Sequence, residues 1–373
     1  MLLHGIFPPI STPFYPDDRV YHKKLEANVE RYSRTPAAGI VVLGSTGEAI
    51  LLSDQERRDV FKTAIGAAAP NKVMIAGTGI ESAHETLALT EYAAELGYDA
   101  AMIRTPHYYK KQMLPANILA FYRTVADRSP LPLVIYNFPQ ATGYDIPAEV
   151  VIELGGHPNI VAIKESSGNL EKVKKMVDGT RHVKRSATVT VTFEAVTPRM
   201  LKAAEAESGA TKEKESRELV TVEALAGSME RRAPAPVPES SPKPSSSAIT
   251  VVGKLKTRQK EVGFQVMVGA AHQLEPSLAV GAVGAILAFA CPAPMACYEI
   301  YAALKEGDTA LAREKQDRVK LPAQRVVSEL GVPGVKYAMD LNGYYGGPAR
   351  LPFLPLTADL KAEIEKLMAG IKS

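Results

Sequence analysis

Only two cysteines occur in 373 residues, and tryptophan is absent. Cys291 and Cys297 lie close together in a long chain, so a disulfide framework is excluded and a reducing compartment is the simpler reading. An excess of charge is missing too. Lys and Arg number 44 against 41 Asp and Glu, a net +3, which argues against nucleic acid or an acidic membrane surface as partner. Hydrophobic residues make up 46% and charged residues 23%, so collagen-like and wholly disordered classes are out. The opening MLLHGIFPPISTPF lacks a basic stretch and carries three prolines, so no targeting segment is expected and the predicted location is cytoplasmic. No internal repeat is found. One uncharged stretch, 276–298, is long enough to span a bilayer. Its prolines at 292 and 294, its glycines at 281 and 284 and its abundance of Ala over Leu argue against a membrane span. It reads as a short helix, a buried strand at 285–289 and the start of another helix.

What is present is alternation. Short apolar runs at 6–10, 39–43, 73–76, 100–104, 133–137, 160–164, 265–268 and 285–289 are separated by amphipathic helical patterns. The runs are apolar nearly throughout, as strands buried on both faces should be. Ser53 with Glu56 has capping-box spacing, and a helix at 81–96 is stopped by Gly97. Eight strands with intervening helices predict a closed α/β architecture, a (β/α)8 TIM barrel. Helices at 294–305, 309–330 and 357–371 continue beyond it as a C-terminal extension.

The alternation fails between about 178 and 262. Residues 231–247, RRAPAPVPESSPKPSSS, hold five prolines and five serines. Such a segment cannot bury enough apolar surface to offset its ordering entropy and is expected to be flexible. Strand-like pieces at 188–196, 218–224 and 249–252 and a helical piece at 200–207 surround it. The predicted organisation is therefore a first barrel part at 1–177, an inserted subdomain at 178–262, a second barrel part at 263–306 and C-terminal helices at 307–373. Since the insertion follows the helix after the sixth strand, its root is expected at the barrel's N-terminal face.

Functional residues of a parallel barrel collect at the C-terminal ends of its strands. Strand two ends in Gly44-Ser45-Thr46-Gly47-Glu48, strand four in Thr105-Pro106-His107-Tyr108-Tyr109, strand five in Tyr136-Asn137, strand six in Lys164-Glu165-Ser166, and strand seven at Gly269. A lysine at the inner end of an apolar strand is partly desolvated. Desolvation disfavours a charged amine, and a neutral amine can attack a ketone to form a Schiff base. A lysine that marks the strand end and reaches water is the plainer alternative. Tyr136 could shuttle protons if a hydroxyl relays them, or could simply pack. The 44–47 loop sets two hydroxyls between glycines and could hold a carboxylate with its backbone N–H groups. It is not a phosphate-binding P-loop, because no Gly-Lys-Ser/Thr follows, and Gly77-Thr78-Gly79 lacks the third glycine of a dinucleotide fingerprint. Histidines at 4, 22, 84, 107, 157, 182 and 272 show no paired metal-ligand spacing. The cysteines read as buried hydrophobes.

Together these residues resemble the dihydrodipicolinate synthase and N-acetylneuraminate lyase family of pyruvate-dependent class I aldolases. The matching pieces are Gly44-Ser45-Thr46-Gly47-Glu48, Tyr136-Asn137-x-Pro139, Thr142-Gly143 and Ile163-Lys164-Glu165. The runs Gly331-Val332-Pro333-Gly334-Val335-Lys336 and Gly343-Tyr344-Tyr345-Gly346-Gly347-Pro348 are most similar to the 4-hydroxy-2-oxoglutarate aldolase branch. The resemblance covers nearly the whole chain outside 178–262. It implies that Lys164 forms the Schiff base, Tyr136 moves protons, Ser45 relays to it and Thr46 binds the pyruvate carboxylate. It implies that Tyr108 is lent across a subunit interface, hence a homo-oligomer, dimer or tetramer. It also implies that Ser166 touches substrate; Gly269, at the neighbouring strand end, is expected to line the same site. Pyruvate and an aldehyde are the implied small-molecule partners, with no metal or organic cofactor. The expected reaction is cleavage of 4-hydroxy-2-oxoglutarate to pyruvate and glyoxylate. The alternative is condensation of pyruvate with aspartate semialdehyde, and a third reading is a non-catalytic binding or regulatory module. Dihydrodipicolinate synthases carry an arginine before the Thr-Gly; here that position is Ala141. The insertion is a second departure.

Overall fold

The computed structural model describes residues 1–208 and 249–371. The expected strand at 218–224 and the Pro/Ser-rich segment 231–247 lie outside the described residues. Two compact units are present: Leu3–Arg185 with Val262–Ser373, and Met1–Leu2 with Ser186–Glu261.

The first unit is a parallel barrel. Its strands are β1 (Gly5–Phe7), β2 (Gly39–Val42), β3 (Val73–Gly77), β4 (Ala100–Arg104), β5 (Leu133–Asn137), β6 (Ile160–Glu165), β10 (Gln265–Val268) and β11 (Gly284–Ile286). The second unit supplies β7 (Arg185–Thr190), β8 (Thr250–Val252) and β9 (Leu255–Val262). Barrel order is β1-β11-β10-β6-β5-β4-β3-β2. The chain just past β1 closes the ring on β2: Val41 N donates to Pro8 O at 3.0 Å and Ile10 N to Val41 O at 3.0 Å. Pro8 and Pro9 have no N–H to give, which is why regular strand stops at Phe7 although the path continues. β2, β5 and β6 are buried along their whole length, as unbroken apolar runs between a packed interior and a helical outer layer must be.

The last strand is shorter than the expected 285–289. After Leu287 N reaches Phe7 O, the amides of Ala290 and Cys291 turn back to Leu287 O and Ala288 O and tighten the chain into a 3-10 turn. The capping box at Ser53 forms: Ser53 Oγ accepts from Glu56 N, and Glu56 Oε2 accepts from Ser53 N. Helices Pro294–Lys305, Thr309–Ala323, Gly331–Leu341 and Ala358–Met368 make the C-terminal extension. The expected single helix at 309–330 instead loosens into a π-helical turn, Gln324–Glu329, just after Pro322 removes a donor from the ladder. Among the described residues no helix is long and apolar enough to cross a membrane. The stretch 276–298 runs through the helix Leu274–Ala279, β11 and the start of helix Pro294–Lys305.

In the second unit the three strands are ordered β7-β9-β8, with β8 and β9 antiparallel. The expected strand at 188–196 folds back on itself. Phe193 takes φ 65°, Thr190 N donates to Glu194 O and Val189 bridges Ala195.

Candidate active site

Neighbouring parallel strands set the centre of the site. β5 and β6 pair in a register that puts Tyr136 opposite Lys164, so both side chains emerge on one side at the C-terminal end of the barrel. Each is only 5% exposed. Lys164 Nζ lies 4.0 Å from the Tyr136 ring centroid, within cation–π range. The phenol is in turn 3.2 Å from Ser45 Oγ. Ser45 opens a single 3-10 turn, Ser45–Gly47, and Thr46 is buried within it. Two non-glycine residues flank this turn in the left-handed region, Leu43 at φ 59° and Glu48 at φ 55°. Such strain persists only where surrounding contacts impose it.

Two more strand ends meet at the lysine. Ser166 Oγ is buried and has no hydrogen-bond partner among the described residues. Gly269 faces it: a Cβ there would stand 1.9 Å from Ser166 Oγ and 3.3 Å from Lys164 Cε. Glycine is thus what makes room for the serine hydroxyl beside the amine. A buried hydroxyl with nothing to bond to is a standing demand for a ligand atom.

Behind the site a polar network locks β5 to β6. Asn137 Nδ2 donates to both Glu165 oxygens at 3.0 Å and to Asp145 Oδ1 at 2.7 Å. Asn137 Oδ1 accepts from Ile146 N. Lys172 Nζ pairs with Glu165 Oε2 at 3.2 Å and with Asp145. Asn137 and Glu165 have no role in the expected chemistry; their signal in the sequence is that of polar residues ending two apolar strands.

Tyr108 is 75% exposed and edge-on to Tyr109. Among the described residues no hydrogen bond joins it to Tyr136 or Ser45. Its loop is pinned by Glu81, whose Oε2 accepts from the amides of His107 (2.9 Å) and Tyr108 (3.1 Å). Burial opposes the charge on Glu81, but Arg104 and those two amides hold its carboxyl below the usual range. A cavity of about 200 Å³ is lined by Tyr108, Ser45 and Tyr136 together with Arg57, Glu81 and Arg104. Ala141 is exposed in the short helix Pro139–Thr142. Beside it, a Cβ on Gly143 would lie 3.2 Å from Lys110 Nζ, so a cation stands near the position where Ala141 offers none. Both cysteines are buried and free, and burial pushes their thiols well above the usual range, so neither is a nucleophile.

Chemically, a buried amine can form an imine, and the phenol whose ring it faces shares a hydrogen bond with a serine hydroxyl through which a proton can pass. A model of the dihydrodipicolinate synthetase family matches residues 2–214 and 244–371. The 4-hydroxy-tetrahydrodipicolinate synthase of Methanosarcina barkeri is 39% identical over 180 residues, 48% of this chain and only 60% of that relative's own length. The enzyme of the same name from Methanothrix thermoacetophila is 26% identical over 367 residues, 98% of this chain and 96% of the relative. In fold, the chain is similar to YagE, a prophage protein of the dihydrodipicolinic acid synthase family from E. coli K12, solved in complex with pyruvate. The TM-score is 0.72 at 23% identity, covering 100% of this chain and 99% of that one.

Proposed function

The chain belongs to the dihydrodipicolinate synthetase family, and from that membership we propose that it is a lyase, a class I aldolase whose Lys164 forms a Schiff base with pyruvate or with the pyruvoyl half of a 2-oxo-4-hydroxy acid. The observation that carries this reading is the line Lys164–Tyr136–Ser45, with Nζ 4.0 Å from the ring and the phenol 3.2 Å from the serine. The amine adds to the C2 carbonyl, and the carbinolamine loses water through protons carried by Tyr136. In the cleavage direction the 4-hydroxyl gives its proton to Tyr136. The C3–C4 bonding pair moves into the imine, an aldehyde leaves, and the resulting enamine is protonated at C3. Water then releases pyruvate and restores the amine. Thr46 and its turn take the substrate carboxylate, and Ser166 Oγ, which fits against the bare backbone of Gly269, takes the substrate beyond the reacting carbon. No step needs a metal or an organic cofactor. Tyr108, exposed and unbonded to Tyr136 of its own chain, serves a neighbouring subunit in this reading, so the active form is a homo-oligomer. Two buried free thiols suit a reducing, cytoplasmic location.

For the second partner, glyoxylate, and hence 4-hydroxy-2-oxoglutarate cleavage, is favoured by Ala141, which removes the matched charge for the carboxylate of aspartate semialdehyde. A charged hydrogen bond is worth about 1.5–3 kcal/mol, a tenfold to hundredfold handicap. The dihydrodipicolinate synthase reading is favoured by the names of the relatives and by Lys110 beside Gly143. One comparison decides: kcat/KM for pyruvate with glyoxylate against pyruvate with aspartate semialdehyde. Glyoxylate is expected to win. If aspartate semialdehyde wins and Lys110→Ala abolishes that advantage, Lys110 replaces the missing arginine. Borohydride with pyruvate should add one reduced adduct per chain, at Lys164. Lys164→Ala and Lys164→Arg should both escape trapping, since a guanidinium stays protonated. Trapping of Lys164→Ala at full stoichiometry would remove the lysine from its role.

A further inference from the structure

The C-terminal extension reaches back to the turn that carries Ser45 and Thr46. Lys336, on helix Gly331–Leu341, is 1% exposed. Its Nζ sits 2.5 Å from Glu48 Oε1 and donates to Thr12 O at 2.9 Å and Pro348 O at 2.7 Å. The other oxygen of Glu48 accepts from Arg350 N at 2.8 Å. Glu48 is the residue held at φ 55° directly after the turn, and its own amide donates to Ser45 O at 3.1 Å. From the other side Thr12 Oγ1 donates to Gly47 O at 2.6 Å. Ile10 O closes on the same glycine: a Cβ on Gly47 would meet it at 3.1 Å. The Arg350 guanidinium donates to Leu51 O and to Glu56, so the chain just beyond the turn is tied down as well.

A left-handed glutamate is costly, and a charge pair taken out of water is no economical way to add stability. Both features fall on the few residues after Ser45 and Thr46. We infer that Lys336 and Glu48, with Thr12, are positioning residues for the carboxylate-binding turn: the C-terminal extension presses Glu48 into its strained backbone and so fixes where Ser45 and Thr46 meet the substrate. The inference rests on the reading of that turn as the pyruvate-carboxylate site. It touches no reacting atom; it acts through the geometry of the turn, and preorganised donors lose their value when displaced by about an ångström.

The experiment is borohydride trapping across a pyruvate titration, read as the half-saturating concentration and as the final adduct per chain. Wild type is compared with Glu48→Gln, the neutral pair Glu48→Gln/Lys336→Met, and Thr12→Val, which is isosteric and leaves the buried charge pair alone. Arg325→Ala, which breaks a surface pair with Glu363 in the C-terminal helices, is the control for general loosening. The expected result is a half-saturation raised tenfold or more in the Glu48 variants and several-fold in Thr12→Val, with the adduct still close to one per chain at saturation and Arg325→Ala unchanged. A purely structural role would lower the final adduct or the melting temperature and leave half-saturation where it was; that result in folded Thr12→Val and in whichever Glu48 variant folds would overturn the inference. If neither Glu48 variant folds, unchanged half-saturation in Thr12→Val overturns it and a several-fold rise sustains it. Wild type that is never trapped would instead sink the aldolase reading, a separate outcome.

Discussion

At the scale of single residues the decisive question is whether Tyr136 acts or only packs. Its ring is buried against Phe138 and beneath the Lys164 amine, which is packing, but its hydroxyl faces Ser45 rather than a backbone carbonyl. Buried tyrosines elsewhere in the barrel give their hydroxyls to the main chain: Tyr32 to Cys291 O, Tyr98 to Phe61 O, Tyr122 to Ile103 O. A hydroxyl bonded to another hydroxyl can pass a proton in either direction; one tied to a carbonyl cannot. Tyr136→Phe is therefore expected to keep the fold and to slow turnover about 10²- to 10⁴-fold, the usual contribution of a positioned proton-transfer group. Circular dichroism checks the fold and steady-state kinetics the rate. A loss well under tenfold would leave Tyr136 a packing residue.

At the scale of elements, the strand ends carry the design. Apolar runs that stop at Tyr136-Asn137 and at Lys164-Glu165 put alternate residues on opposite sides of the wall. Tyr136 and Lys164 face the site, and Asn137 and Glu165 face the network behind it with Asp145 and Lys172. Lys172 is 8% exposed and Glu165 2%. Lys172→Met would leave Glu165 buried without its cation, and breaking one side of such a pair costs about 3–5 kcal/mol. A lower urea midpoint is expected, with partial recovery in Lys172→Met/Glu165→Gln. No recovery would mean that the aliphatic packing of Lys172, not its charge, is what matters.

The same elements show what the chain makes legible. Six of the eight barrel strands lie within a residue of their apolar runs, because a strand buried on both faces must be apolar throughout. The first run overreaches, since Pro8 and Pro9 bring no N–H to regular pairing, and the last does too, since nothing in Ala288-Phe289-Ala290 announces a 3-10 turn. The turn is imposed by where Leu287 meets Phe7. Lys164, Tyr136, Ser45, Ser166 and Gly269 stand out as strand ends of one barrel, but the roles expected of them come from the family resemblance and not from their position. Glu48 and Lys336 could not be paired, as they stand 288 positions apart and only the closed fold brings them to 2.5 Å.

At the scale of the whole molecule the open question is what residues 186–261 contribute to the chemistry. Among the described residues, the ring is made by strands outside this segment. β6 pairs directly with β10 over four residues, Gln265↔Ala162 to Val268↔Glu165, so the strands on either side of the insertion are already joined. The barrel chain leaves and returns in one place: a Cβ on Gly263 would lie 3.3 Å from Val183 O. Arg185 is fixed there by bonds to Gly155 O and His157 O, just ahead of β6, whereas Lys164 is at the far end of that strand. Loop closure grows only logarithmically with length, so a long excursion and a short bridge between these points differ little in entropy. We therefore propose that the insertion is dispensable for catalysis. Replacing residues 186–261 by a short Gly/Ser bridge should leave a folded protein that still takes one borohydride-reducible pyruvate per chain, with turnover within a few-fold of the intact chain. A bridged protein that keeps its barrel circular dichroism and melts cooperatively, yet forms no adduct, would show that the insertion takes part in building the site.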